Sequence, residues 1–175
     1  MAKGKIIIIS FCALLAVHGY AQQDSISCIT RTYQSQIGVR EASGKNDGVE
    51  VEAYLKSVGR HRGDAWCAAF VHWTLEQCGE PRVKSGWSPS WFPASRVIYA
   101  RTGAKTQAPQ PGDVFGIWFQ KLGRIAHVGF IHEWGCEWVV TVEGNTNDAG
   151  SREGDGVYMK RRINRQIYKV ARWRK

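Results

Sequence analysis

Apolar residues recur at helical spacing through the first half of the chain and at alternate positions through the second. Ile26, Ile29, Tyr33 and Ile37 fall on one helical face, which predicts a helix ending at Gly38. The polar stretch 22–27 before it reads as mobile. Residues 40–48, rich in Gly, Asn, Ser and Asp, read as a loop. Asn46 or Asp47 is placed to cap a second helix carrying Val51, Tyr54, Leu55 and Val58, which Gly59 ends. A third helix is predicted to open with Asp64 as its N-cap. It carries Phe70, Val71, Thr74, Leu75 and Cys78 on one buried stripe, and Gly79 and Pro81 stop it. Ala94, Val97, Ile98 and Arg101 repeat the helical spacing before Gly103.

Beyond Pro111-Gly112 the period changes to two and the composition turns β-branched and aromatic. Strands are expected at 113–119, 126–132, 138–143, 156–162 and 167–173. The longest break, 144–155, is rich in Gly, Asn and Asp. Helices followed by a run of strands predict an α+β domain, with N-terminal helices packed on a C-terminal antiparallel β-sheet. Neither an internal repeat nor a low-complexity tract interrupts it.

The first 21 residues stand apart from this pattern. Met1-Ala2-Lys3-Gly4-Lys5 is a positive n-region, residues 6–17 are apolar apart from Ser10, and Gly19-Tyr20-Ala21 supplies small residues for cleavage. A signal peptide at 1–21 and one domain at 22–175 are expected, with the mature protein secreted or periplasmic after cleavage near Ala21. No later apolar run is long enough for stable membrane insertion. Loss of Lys3 and Lys5 takes the net charge from +9 to +7. Such a surface suits anionic partners such as cell-wall polymers, membrane surfaces or extracellular nucleic acid, or serves solubility alone.

Four cysteines remain after the leader: Cys28, Cys67, Cys78 and Cys136. Cys67 and Cys78 lie on one helix, about 16 Å apart at 1.5 Å rise per residue, too far for a bridge. Cys67 falls in the first helical turn, where free N–H groups and the helix dipole favour a thiolate. The competing reading is a small buried hydrophobe. If Cys67 is a nucleophile, at most one disulfide forms among Cys28, Cys78 and Cys136, and the pair stays open.

A cysteine nucleophile needs a base, and the base needs a group to hold its ring. His127 opens the apolar run Ala126-His127-Val128-Gly129-Phe130-Ile131, and Glu143 ends the next strand. A hairpin between the two makes them expected cross-strand neighbours. Taken alone, His127 also fits a hydrogen-bonded core histidine and Glu143 an exposed strand-end charge. As a pair they read as base and orienter, with Asn145 able to share the second role or add an oxyanion donor. No paired Cys or His spacing suggests a metal site.

Trp66-Cys67-Ala68-Ala69-Phe70-Val71, Gly112-Asp113-Val114, His127-Val128-Gly129 and Glu143-Gly144-Asn145 occur here in this order. In this the chain resembles the cysteine, histidine-dependent amidohydrolase/peptidase (CHAP) family. The resemblance runs from about Ile37 to the last strand. It implies a papain-like cysteine peptidase fold, with Cys67, His127, Glu143 and Asn145 as catalytic candidates and no cofactor or metal. It also implies cleavage of an amide in peptidoglycan, by an N-acetylmuramoyl-L-alanine amidase or a stem or cross-bridge endopeptidase. The related NlpC-type peptidases differ in pattern, usually carrying an Asp-Cys pair and a second histidine, where this chain has Trp66-Cys67 and Glu143.

Asp64, Trp66, Trp87 and Trp91 are the substrate-binding candidates, Trp66 as a cleft floor and the two loop tryptophans as contact surface. Packing in the core or the loop is their ordinary alternative. Peptidoglycan is the expected partner of a monomer that takes no nucleic acid, and the sequence names no inhibitor or immunity protein. Two other functions share these residues: a non-catalytic cell-wall-binding module on the same fold, and a cysteine amidase or peptidase with a non-peptidoglycan substrate.

Overall fold

A computed structural model of the chain describes residues 11–103, 105–147 and 154–175. The start of the expected leader and half of the 144–155 break, residues 148–153, lie outside the described residues. Among the described residues three helices, α1 (Phe11–Ser35), α2 (Val49–Ser57) and α3 (Cys67–Gln77), precede the whole sheet. Its strands are β1 (Val97–Ala100), β2 (Val114–Phe119), β3 (Arg124–Trp134), β4 (Trp138–Thr146), β5 (Gly156–Ile163) and β6 (Lys169–Ala171). All pairs are antiparallel, in the order β1-β6-β2-β3-β4-β5. The fold is α+β, consistent with a papain-like CHAP fold.

α1 continues through 22–27, where a mobile segment was expected. Tertiary anchoring explains the helix. Ser25, Ile29 and Tyr33, one turn apart, are buried. Cys28 is bridged to Cys78 just past α3, which resolves the open pairing and leaves Cys136 free and exposed. Glu80 adds a second tie, accepting from the Ser25 hydroxyl at 2.5 Å and from the Lys175 backbone N–H at 2.9 Å.

The third helix starts later than predicted. Trp66 holds the N-cap position, and Asp64 instead accepts the His61 N–H at 3.1 Å within the preceding turn. Asp47 likewise caps nothing. It binds Ser43 and Arg62, and Gly48 leads into α2. α3 is not a one-stripe helix. Cys67 through His72 are all buried, with Thr74 and Leu75, because α3 packs on β3 and β4 with α1 and α2 around it.

The helical spacing at Val97, Ile98 and Arg101 belongs to a strand. Val97-Ile98-Tyr99 is β-branched and aromatic, and antiparallel pairing with β6 decides between two periods that a short run cannot separate. The sheet has two apolar faces. Val114, Val128, Phe130 and Val142 pack under α3, while Tyr99, Phe115, Ile131, Val139 and Val170 form a smaller cluster behind. Each such burial contributes about 1.5–3 kcal/mol.

Candidate active site

α3 places Cys67 at its first helical position, with the thiol only 7% exposed. The N–H groups at this end have no intrahelical acceptor. Donors and dipole therefore meet at the sulfur. The Cys67 thiol faces His127 and the Val128 N–H, and its Sγ lies 3.6 Å from the Ser88 hydroxyl.

β3 delivers His127 through a β-bulge. Ile117 pairs with His127 but Trp118 pairs with Ile125, which leaves Ala126 unmatched. Bulges re-aim the side chains beside them, and this one precedes the histidine. On the other side of the ring, Nε2 lies 2.7 Å from Glu143 Oε2. That leaves Nδ1 as the nitrogen available to Cys67.

His127 and Glu143 are diagonal rather than directly opposed. Counting on from the Phe130–Val142 pair sets Gly129 across from Glu143. A Cβ on Gly129 would stand 3.1 Å from Glu143 Cγ and 2.8 Å from the Val142 carbonyl oxygen. The bare backbone lets the carboxylate lean toward the ring. Gly144 acts similarly on the other face: a Cβ there would meet Trp66 Cζ3 at 2.6 Å and Phe70 Cβ at 2.9 Å. Both motif glycines are thus matters of close approach.

Glu143 is fully buried, so its charge needs compensation. Arg162 on β5 supplies it with a two-pronged contact, Nε to Oε1 and Nη2 to Oε2, both 2.5 Å. The Thr141 hydroxyl donates to Oε1 at 2.5 Å. Burial pushes the Glu143 carboxyl up, but Arg162 and His127 outweigh it and hold it well below its ordinary range. Burial likewise pushes His127 down, while hydrogen bonds to Cys67 and Glu143 and their charges push it further up, to about 9. For Cys67, burial pushes up, and the His127 hydrogen bond and charge, with Ser88 and Val128, bring the thiol below its ordinary value. The geometry favours a thiolate–imidazolium pair, which titrates as a unit.

Asn145 lines a groove beside the His127 ring with left-handed backbone, φ 55°, which asparagine tolerates better than most residues. The bonded partner of Nε2 is Glu143. Asp64 and Trp87 border a cleft of about 190 Å³ that also takes in Cys67, Ser88 and Arg124. Trp87 is 46% exposed, and the Arg124 guanidinium sits 4.1 Å over its ring. Trp66 and Trp91 are fully buried, which corrects their expected contact with substrate. Trp66 packs on Tyr54 and donates its Nε1–H to Glu41, and Trp91 packs on Trp173.

The sequence reading missed Ser88, Thr141 and Arg162. Alternation along β5 puts Lys160 and Arg162 on one face, a weak signal that names no partner. Among the described residues no three His, Cys, Asp or Glu side chains converge as metal ligands.

Residues 59–145 match the family model of the CHAP domain. The chain carries a CHAP domain. The match spans Cys67, His127, Glu143 and Asn145, and stops short of Arg162. The CHAP domain points to amidohydrolase or peptidase activity. Comparison with the curated proteins and with the solved structures gave no match.

Proposed function

We propose that this CHAP protein is a secreted, monomeric peptidoglycan hydrolase that cuts an amide with Cys67 as nucleophile. The bond is that of an N-acetylmuramoyl-L-alanine amidase or of a stem or cross-bridge endopeptidase. The observation that carries the reading is the Cys67–His127–Glu143 line, whose thiol and carboxylate are buried and whose thiol is held below its ordinary value. The leader-like segment 1–21 and the Cys28–Cys78 disulfide support an oxidising compartment outside the cytoplasm.

In the acylation step the Cys67 thiolate attacks the amide carbonyl and an S–C bond forms. The Cys67 backbone N–H, free at the helix start, faces the developing oxyanion. The C–N bond breaks as His127 gives its proton to the leaving amine. Neutral His127 then takes a proton from water, which attacks the thioester and releases acid and thiolate. Glu143 holds the ring in place and stabilises the imidazolium at both ends of the cycle.

The test is digestion of purified sacculi followed by mass spectrometry of the released muropeptides. New amide-derived termini are expected with the native protein and none with Cys67→Ala. Digestion by both alike, or by neither, overturns the reading.

A further inference from the structure

Beside His127 lies a groove of about 770 Å³, walled by Ile117, Trp118 and Phe119 of β2 and by residues of β4 and β5. Among the described residues its charges are of one sign. Arg101, Lys160, Arg162 and Arg165 line it, and no Asp or Glu does among the described residues. Arg162 is spent on Glu143. The other three pair with no carboxylate among the described residues. Lys160 donates to the Asn147 carbonyl and Arg101 to the Arg165 carbonyl. Arg101 and Arg165 are exposed. Low-dielectric walls beside a one-sign lining focus the field, so the groove attracts anions.

We infer that the groove is a subsite for free carboxylates on the amine-side half of the substrate, the half that leaves when His127 gives up its proton. The inference rests on the hydrolase reading above. Cys67 opens on the smaller cleft and keeps the acyl half, whereas His127 borders the groove. Trp118 and Phe119 give the peptide stem an apolar wall, and the three cations take its carboxylates. A neutral substrate loses that attraction.

The experiment uses full-length Cys67→Ala protein, which binds without turnover. Fluorescence anisotropy compares a labelled tripeptide bearing two free carboxylates with the same tripeptide amidated at both. The dicarboxylate should bind about tenfold tighter or better, equal to about 1.4 kcal/mol. Arg101→Gln/Arg165→Gln, two exposed sites, should lose most of that preference, and Lys160→Met on top should abolish it, with circular dichroism reporting the fold. Equal binding of the two peptides overturns the subsite. So does a preference that survives in the double variant, or tighter binding of a short single-stranded oligonucleotide than of the dicarboxylate. Native digestion of sacculi is read in parallel. A peptide preference without digestion sinks the hydrolase reading alone, and digestion without the preference sinks the subsite alone.

Discussion

The two faces of the sheet solve different problems. The face under α3 is apolar and tight: Phe70, Val128, Phe130 and Val142 fix where the helix start sits, and Gly144 lets Trp66 and Phe70 come down on the strand. The opposite face holds the smaller apolar cluster and, beside it, charge. Thr141 and Glu143 are buried, and with the half-buried Arg162 they form a hydrogen-bonded set whose free end is His127. One face positions the sulfur by packing, and the other sets the protonation of the ring that meets it. A cysteine at a helix start is chemically ordinary until the second face supplies a held imidazole.

The largest effect should come from the point where the faces meet. Cys67→Ala removes the proposed nucleophile from a well-packed site, so activity on sacculi should fall by about 10⁴-fold or more. The thermal midpoint should stay close to that of the native protein. A melt with unchanged midpoint and unchanged activity would break the link between the helix face and the chemistry.

Glu143→Gln tests the charged face. It keeps the shape but leaves Arg162 without its carboxylate, and kcat/KM should drop by about 10²–10³-fold. The pH profile adds a sign. His127 sits at about 9, so native kcat/KM should fall as pH rises through about 9, where the imidazolium is lost. Without the Glu143 charge the ring returns toward its ordinary 6.5 and that alkaline limb moves down. The same raised pKa stabilises the fold below about 6.5, and that contribution disappears as pH climbs through about 9. An alkaline limb that stays in place in the variant would show that Glu143 does not set the histidine.

Arg162→Gln is gentler. Glu143 stays buried against His127 but loses its strongest partner, so its carboxyl titrates higher and the acid limb of kcat/KM should move up in pH. A loss of about tenfold at neutral pH is expected. Arg162→Lys should restore part of the charge effect and little of the two-pronged geometry. A residue that merely stabilised the sheet would change the melt and leave the limb where it was.

The contrast between faces also explains what the sequence carried. Strands β2 to β5 were legible because alternation along a half-buried strand is a local signal, and His127 and Glu143 could be placed on it, while helical spacing placed Cys67 in a first turn. Arg162 was not, since a cation on β5 gains its meaning only from the register that sets it against β4. Trp66 misled in the opposite direction. Its place beside Cys67 suggested a cleft floor, yet the Gly144 backbone and Tyr54 enclose it completely. β1 read as a helix because four residues are too few to separate the two periods, and β6 decided the matter from far along the chain. Cys28 found its partner only once α1 lay beside the end of α3.

The smallest expected change tests the apolar face alone. Gly144→Ala adds one methyl where 2.6 Å separates a Cβ from Trp66 Cζ3 and 2.9 Å from Phe70 Cβ. Neither neighbour is a flexible chain end, so the strand or α3 must shift. Such overpacking costs about 1–3 kcal/mol, readable as a lower urea midpoint at unchanged slope. Because Cys67 begins the helix that has to move, its contact with His127 should loosen as well, and a thiol-reactive probe should label Cys67 more slowly at neutral pH as the thiolate is lost. If stability falls and labelling is unaffected, the apolar face holds the fold without setting the position of the sulfur, and the division of labour between the two faces fails on that side.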